Sequence, residues 1–213
     1  MTLTIRPATP EEIPLLLDWA AAEGWNPGLH DAATFHAADP EGFLLGLEDG
    51  TPICCISAIR QGERHGFIGF YIMRPDRRGR GHGIALWREA MHRLSGRTIG
   101  LDGVVAQQAN YARSGFALAW RNIRYAASTP RPVPGAAPDA VQQATLAEAA
   151  PLDALVFPED RGAFLDRWMH APGHRALMLP AAPSACCAPA ARAPSSARSP
   201  PATPPPPARS STR

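Results

Sequence analysis

Lysine is absent from this sequence. All 21 basic residues among the 213 are arginine, which excludes a phosphate-binding loop of the Walker type, because that loop needs Gly-Lys-Ser/Thr. Four of the arginines lie beyond residue 180, where there is no aspartate or glutamate, so residues 1–180 carry 17 basic and 19 acidic side chains. The formal net charge of +2 belongs to the C-terminal segment, and we therefore expect no nucleic-acid partner.

Long apolar runs and dispersed cysteines are absent as well. No segment approaches the roughly 18 apolar residues of a membrane span, and the opening MTLTIRPATPEE lacks the basic and then apolar layout of a signal peptide. The four cysteines form two adjacent pairs, Cys54–Cys55 and Cys186–Cys187, a spacing that suits neither zinc binding nor a disulfide framework. The sequence predicts a reduced, cytoplasmic protein with no metal and no membrane partner.

From Ala181 onward the sequence lacks both acidic residues and large apolar residues. It consists mostly of alanine, proline, serine and arginine, and such a segment buries too little apolar area to offset the entropy cost of ordering it. We expect residues 181–213 to be a disordered tail. The composition is also that of a GC-rich coding sequence read in a wrong frame, and we interpret the tail as a frameshifted ending without function.

The first two thirds of the sequence alternate strand and helix patterns. Thr9-Pro10-Glu11-Glu12 is typical of a capping box that begins a helix after a first strand, and Gly24 should end that helix. Three strands then occur in succession, which favours antiparallel pairing, and a later strand–helix–strand unit adds a parallel pair. The predicted elements are strand 2–8, helices 13–23 and 29–39, strands 42–48, 52–60 and 65–74, a helix with Ile84, Trp87, Met91 and Leu94 along one side, strand 98–104, helix 106–115 and strand 116–126. The prediction is a mixed α/β sheet.

A second, smaller piece follows. The prolines of TPRPVPGAAP, residues 129–138, are typical of a linker. After the linker, the pattern predicts a helix with Phe164, Leu165, Trp168 and Met169 on one face, and a strand over residues 174–179.

The segment RPDRRGRGHGIALW, residues 74–87, has three glycines at alternate positions between a strand and a helix. Glycine destabilises regular elements, so Gly79, Gly81 and Gly83 indicate that the backbone approaches another molecule closely. Backbone N–H groups converge at such a turn, and the helix dipole and the neighbouring arginines favour an anion. A phosphate is the expected ligand.

The glycine spacing distinguishes between phosphate loops. A Rossmann fingerprint needs Gly-x-Gly-x-x-Gly after the first strand, whereas these glycines run Gly-x-Gly-x-Gly after the fourth. Arg78-x-x-Gly81-x-Gly83 matches the coenzyme A pyrophosphate loop of the GNAT N-acetyltransferases, and Tyr111-x-x-x-Gly115-Phe116 matches the ending of that family's domain. Residues 2 to about 128 therefore resemble a GNAT domain. WNPG and GLDGVVAQQANYARSGF are similar to a bacterial subgroup with a second GNAT-like lobe.

The resemblance implies a mostly antiparallel sheet with helices on both faces and acetyl-CoA as co-substrate, without a metal. The fourth and fifth strands are implied to splay and admit the pantetheine arm, which pairs with the backbone of Ile72, Met73 and Arg74. The implied pyrophosphate-binding residues are Arg78, Gly79, Arg80, Gly81, His82, Gly83 and Ile84. Most family members carry an asparagine ahead of the tyrosine, where this sequence reads VVAQQ. Asn110, Gln107 or Gln108 is expected to take that contact.

The resemblance also implies the catalytic groups. Tyr111 would protonate the departing thiolate, since a phenol with an ordinary pKa near ~10 is protonated at neutral pH. Asp102, at the end of the fifth strand, is the expected base, with Glu23, His30 and His65 as alternatives. Trp25-Asn26-Pro27-Gly28 falls in the segment that lines the acceptor pocket of this fold, and a simple turn is the competing interpretation.

Two functions of different classes are predicted. The first is an N-acetyltransferase that moves an acetyl group from acetyl-CoA to a primary amine, of a small molecule or a lysine side chain, by direct attack. The alternative is a defective or non-catalytic acyl-CoA-binding protein, because residues 139–180 resemble only the opening of a second lobe. The expected domains are a GNAT domain over 1–128, the linker, the partial lobe and the tail. The oligomeric state stays open, a homodimer included.

Overall fold

The computed structural model describes residues 2–28, 30–123, 141–157 and 159–179. The linker predicted at 129–138 and the tail at 181–213 lie outside these ranges. In the first part the elements are β1 (Leu3–Pro7), α1 (Ile13–Ala22), α2 (Asp31–Ala38), β2 (Phe43–Glu48), β3 (Thr51–Gln61), β4 (His65–Met73), α3 (His82–Arg93), β5 (Thr98–Leu101) and α4 (Gln108–Arg113). Short 3₁₀ turns, Pro10–Glu12, Pro75–Arg77 and Val105–Gln107, precede α1, the glycine segment and α4. None of the helices within these ranges is both long and apolar enough to cross a bilayer.

Strands β1 to β5 form one sheet in the order of the chain. The first four pair antiparallel with their neighbours, and β5 pairs parallel with β4. The α3 crossover between β4 and β5 makes that parallel pair possible, because parallel strands need a long connection. The predicted mixed, mostly antiparallel sheet is confirmed.

The sheet is covered on both faces, and β2 shows why its sequence is apolar without alternation. All six residues of β2 are buried. Phe43, Leu45 and Leu47 belong to the core that includes α1, whereas Leu44 belongs to the core beneath α3. Since successive side chains of a strand point to opposite faces, a strand between two helical layers must be apolar throughout.

The helix boundaries follow the predicted signals. Thr9 and Glu12 form the capping box ahead of α1, and Gly24 follows α1 with a φ of 76°. On the predicted side of α3, Trp87 is buried, as is Leu94 directly after the helix. Ile84 on the same side is 49% exposed. It lies in the first turn of α3, beside the cleft described below.

The last strand predicted for the domain, over residues 116–126, is also wrong where the structure describes it. Residues 116–123 form no strand, and 124–126 lie outside the described ranges. Within those ranges no backbone hydrogen bond joins residues 117–123 to β5, so the ladder that defines a strand is missing. Phe116 is partly buried, but the other three large apolar side chains of this stretch, Leu118, Trp120 and Ile123, are exposed.

The second part consists of β6 (Gln142–Gln143), α5 (Leu146–Asp153), α6 (Gly162–Met169) and β7 (Leu177–Met178). β6 and β7 pair as a separate two-stranded sheet. Helix α6 packs against α2 of the first part, with the rings of Phe164 and Phe35 4.8 Å apart and Met169 buried. Of the predicted apolar face, Phe164 therefore packs on a helix of the first part, whereas Leu165 and Met169 line a hollow with residues of α5 and β7.

Candidate active site

A cleft opens where β4 and β5 separate. Their pairing ends at Ile68 and Leu101, whereas β4 continues to Met73. The cleft has a volume of about 1290 Å³. Its lining includes residues 67–73 of β4, residues 101–104 after β5, Asn110 and Tyr111 of α4, and residues 23–27 after α1. A single opening therefore brings together the strand, the tyrosine and the WNP segment that the sequence singled out.

The part of β4 that lines the cleft contains a β-bulge. The register with β3 shifts between Cys55 and Ser57, and Phe70 has a φ of 49°. A bulky residue is strained in this left-handed region and needs support from its surroundings. Phe43 packs edge-on against the Phe70 ring at 5.9 Å, and the Cys55 thiol donates to the Phe70 carbonyl at 3.3 Å. The bulge redirects the β4 backbone where the strand leaves its neighbour.

The glycine segment leads into α3 beside this cleft. Gly79 and Gly81 have φ values of 80° and 84°, and Gly81 is the residue at which α3 is capped. A Cβ atom at either position would meet nothing within 4 Å, so open space lies in front of the backbone. Within the described chain, the N–H groups of residues 79–84 have no hydrogen-bond acceptor. Consecutive free amides at a helix N-terminus bind anions, and this geometry fits a pyrophosphate.

The basic side chains of the segment are already paired, which the sequence did not predict. Arg78 donates to the Met73 carbonyl at 3.0 Å and to the carboxylate of Glu23. Arg74 forms two hydrogen bonds of 3.1 Å with Asp76. The Arg78 amide itself donates to the Pro75 carbonyl. The free donors for an anion are therefore the amides of residues 79–84.

Three further basic side chains meet one carboxylate. Glu48, the last residue of β2, is only 6% exposed. Its oxygens lie 3.4 Å from Arg77 Nε, 4.0 Å from Arg80 Nη1 and 3.3 Å from His82 Nε2. Sequence analysis missed Glu48, because an acidic residue at the end of an apolar strand gives no local signal.

The three residues predicted to pair with the pantetheine arm differ in the direction of their backbone groups. The Arg74 N–H donates to the Ile53 carbonyl at 2.9 Å, so it faces β3. Backbone groups alternate in direction along a strand, and the Met73 carbonyl, which accepts from Arg78, faces away from β3. Of Ile72, Met73 and Arg74, Met73 therefore has the backbone groups that face the cleft.

Tyr111 lies in the cleft with its ring against Trp87, at 5.9 Å between centroids. Burial raises the pKa of its phenol, and a hydrogen bond from the Val104 backbone opposes that shift. The hydroxyl is therefore protonated at neutral pH. A Cβ at Gly103 would lie 2.4 Å from the Tyr111 ring, so Gly103 is needed for this position of the ring. Gly103 was not predicted as a site residue.

The candidate bases separate into two groups. Asp102 and Glu23 line the cleft. Asp102 accepts a hydrogen bond of 2.8 Å from Asn122 Nδ2. His65 lies at the opposite end of β4 from Met73, with Nδ1 3.0 Å from Glu159, and His30 packs edge-on against His174. Neither histidine lines the cleft.

Residues of α4 and of the WNPG turn complete the lining. Gln107 and Asn110 line the cleft and hydrogen-bond each other, whereas Gln108 does not line it. Trp25, Asn26, Pro27 and Asp31 also line the cleft. Asp31 accepts from the Gly28 amide at 3.0 Å and from the Trp168 indole at 3.4 Å, so α6 contacts this part of the lining. Across the described residues, no group of three or more metal-binding side chains occurs.

The sequence matches the model of one protein family and one curated relative. Residues 11–116 match the model of the acetyltransferase (GNAT) family. Holothin acyltransferase from Pseudoalteromonas sp. (strain SANK 73390) is 32% identical over 181 residues, which are 84% of this chain and 61% of that relative. The chain therefore spans about three fifths of the length of this curated relative.

The fold is also found in a solved structure. A crystal structure of a candidate acetyltransferase from Pyrococcus horikoshii superimposes with a TM-score of 0.63, covers 83% of this chain and 64% of that one, and shares 18% sequence identity. At this identity the likeness concerns the fold, which is the mixed sheet described above. With the glycine loop, the splayed strands and the sequence match over residues 11–116, the chain belongs to the GNAT acetyltransferase family.

Proposed function

We propose that this protein transfers an acetyl group from acetyl-CoA to a primary amine, on a small molecule or a lysine side chain, by direct attack. The observation that carries the proposal is the run of free amides at residues 79–84, which opens α3 beside the cleft. When bound, acetyl-CoA supplies a thioester whose carbonyl carbon the amine attacks, with the thiolate as leaving group. The name of the Pseudoalteromonas relative, an acyltransferase, supports a reaction of this class.

Both backbone and side-chain groups of this protein are assigned to the binding of acetyl-CoA. The amides of residues 79–84 hold the pyrophosphate, because α3 adds the positive end of its dipole to their N–H groups. The Met73 N–H faces the cleft and is available to the pantetheine arm, whereas the Met73 carbonyl already accepts from Arg78. The bulge at Phe70 shifts the β4 backbone out of register with β3, and backbone N–H groups there would stabilise a polarised carbonyl oxygen. Gln107 and Asn110 offer amide groups that also line the cleft.

Tyr111 acts as the general acid, and one carboxylate acts as the general base. The Tyr111 hydroxyl is protonated at neutral pH and donates its proton to the leaving sulfur. Asp102 accepts the proton of the attacking amine, with Glu23, which is engaged by Arg78, as the alternative. The carboxylates of Asp31 and Asp102, which line the cleft, also favour a cationic acceptor.

The test is thiol release from acetyl-CoA in the presence of a panel of primary amines, with mass analysis of the products. The panel should contain aliphatic amines, aromatic amines and a lysine peptide, and a longer acyl-CoA serves as a second donor. Amine-dependent thiol release with a matching N-acetyl product supports the proposal. Binding of acetyl-CoA without amine-dependent release from any member of the panel contradicts it and supports the acyl-CoA-binding alternative.

A further inference from the structure

Glu48 is the one described residue at which a buried carboxylate meets several cations of the glycine segment. Its side chain is 6% exposed, and three basic groups lie within 4.0 Å of its oxygens. Even so, among the described residues Oε1 has no hydrogen-bond partner, and neither has Arg77 Nε. Burying a charge is unfavourable unless its hydrogen bonds are made, so the cluster contributes little stability of its own.

The three basic residues lie in one short segment of the chain. Arg77 ends the 3₁₀ turn before the glycines, Arg80 lies between Gly79 and Gly81, and His82 is the first residue of α3. Their side chains converge on Glu48, whereas the amides of residues 79–84 stay free. A carboxylate that attracts several side chains to one side of a loop fixes the direction of the backbone between them.

We propose that Glu48 is a positioning residue for the pyrophosphate loop. Glu48 holds the side chains of Arg77, Arg80 and His82 against the end of β2. The consecutive amides of Gly79–Ile84 are then aligned toward the ligand before the ligand binds. The loop is glycine-rich and would otherwise sample many conformations, so alignment in advance lowers the entropy cost of binding. This inference rests on the proposed function, because it assigns Glu48 a role in binding the same co-substrate.

The proposal makes a prediction opposite to that of simple electrostatics. Glu48→Gln removes a negative charge beside an anion site, and on Coulomb grounds alone acetyl-CoA should bind more tightly. If Glu48 positions the loop, binding should weaken by about tenfold instead. The control is Asp49→Asn, which removes the same charge from the next residue. Asp49 is exposed, contacts the Thr2 amide, and has a φ of 48° that asparagine accepts.

The experiment is calorimetric titration of the full chain with acetyl-CoA and, separately, with S-acetylpantetheine, which lacks the phosphates. We expect Glu48→Gln to weaken acetyl-CoA binding about tenfold and to leave S-acetylpantetheine binding and the melting temperature unchanged, while Asp49→Asn matches the wild type. Equal or tighter acetyl-CoA binding by Glu48→Gln, or equal weakening for both ligands, overturns the positioning role. Absence of acetyl-CoA binding by the wild type overturns the proposed function, and this inference with it.

Discussion

The indole of Trp87 packs against the phenol of Tyr111 and against the ring of Phe116, with 5.9 Å between centroids in both pairs. Gly115, with a φ of 91°, turns the chain so that the Phe116 amide donates to the Tyr111 carbonyl at 3.2 Å. The Tyr-x-x-x-Gly-Phe spacing therefore has a packing explanation, because it fixes two aromatic rings on one face of α3. The Tyr111 hydroxyl takes no part in that packing and is available for chemistry.

Tyr111→Phe separates these two roles. The ring and its contact with Trp87 remain, and only the hydroxyl group with its ionisable proton is lost. If Tyr111 is the acid, turnover should fall by roughly 100-fold or more while the dissociation constant of acetyl-CoA stays unchanged. Steady-state kinetics and calorimetry measure the two effects.

Tyr71→Phe is the comparison variant for that experiment. Tyr71 also lines the cleft and packs against Trp87, at 5.4 Å, and burial raises the pKa of its phenol as well. A larger loss of turnover in Tyr71→Phe than in Tyr111→Phe would indicate that Tyr71, and not Tyr111, is the general acid.

Gly81→Glu places a carboxylate in the open space in front of the pyrophosphate loop. We expect acetyl-CoA affinity to fall by more than about 100-fold, since the new charge repels the phosphates and blocks the amides. Gly96→Glu is the matched control, because Gly96 follows α3 with a φ of 78° and also has nothing within 4 Å of a Cβ. Both variants carry the strain of a left-handed residue, about 1–2 kcal/mol. Equal acetyl-CoA affinities in the two variants would show that acetyl-CoA does not bind at the glycine loop.

The sequence predicted what depends on local pattern. The apolar runs of β2 to β4, the capping box before α1 and the glycines that open α3 each follow from residues that are adjacent in the chain. The loop could be predicted from its glycines because the backbone there adopts φ values near 80° at Gly79 and Gly81, which favour glycine. A glycine within an apolar strand, Gly69, is a weak signal for the bulge that follows at Phe70.

What was missed depends on contacts between distant segments. Glu48 meets cations some thirty residues away, Gly103 is required by the ring of Tyr111, and α6 packs on α2 across more than a hundred residues. The strand predicted at 116–126 has the right alternation of residues, but a strand also needs a hydrogen-bonded neighbour, which residues 116–123 lack among the described residues. Pattern alone does not reveal such a partner.

Phe164→Ala tests the contact of α6 with the first part. The Phe164 ring is partly buried and packs against Phe35 of α2 with 4.8 Å between centroids, and removal of a buried phenylalanine ring costs about 3–5 kcal/mol at most. We expect a lower melting temperature and faster amide hydrogen exchange in both α6 and α2, because these helices cover each other. Arg167→Ala, an exposed change on the same helix, should leave both unchanged. Faster exchange confined to α6 would show that α2 does not depend on this contact.

The ionisation of Glu12 makes the stability of the fold depend on pH. Arg6 forms two hydrogen bonds of 2.7 Å with its carboxylate and, with the Thr9 amide, lowers the pKa of Glu12 to about 2, although burial opposes the shift. Because the folded pKa lies below the unfolded value, this contribution is complete above about pH 4.5 and is lost as the pH falls toward 2. The carboxylate is partly exposed and Arg6 more so, which limits the effect to about 1 kcal/mol.

The measurement is the free energy of unfolding by urea at pH 7 and at pH 3, for the wild type and for Glu12→Gln. The glutamine variant should be less stable at pH 7, and at pH 3 the difference should shrink by part of that ~1 kcal/mol. The reason is that at pH 3 the carboxyl of Glu12 is protonated in the unfolded wild type, whereas in the folded protein, with a pKa of about 2, it is still mostly ionised. Asp18→Asn on α1 serves as the control, since Asp18 is exposed and has no hydrogen-bond or ion-pair partner within the described residues. A difference between wild type and Glu12→Gln that is the same at both pH values would mean that the ion pair with Arg6 does not stabilise the start of α1.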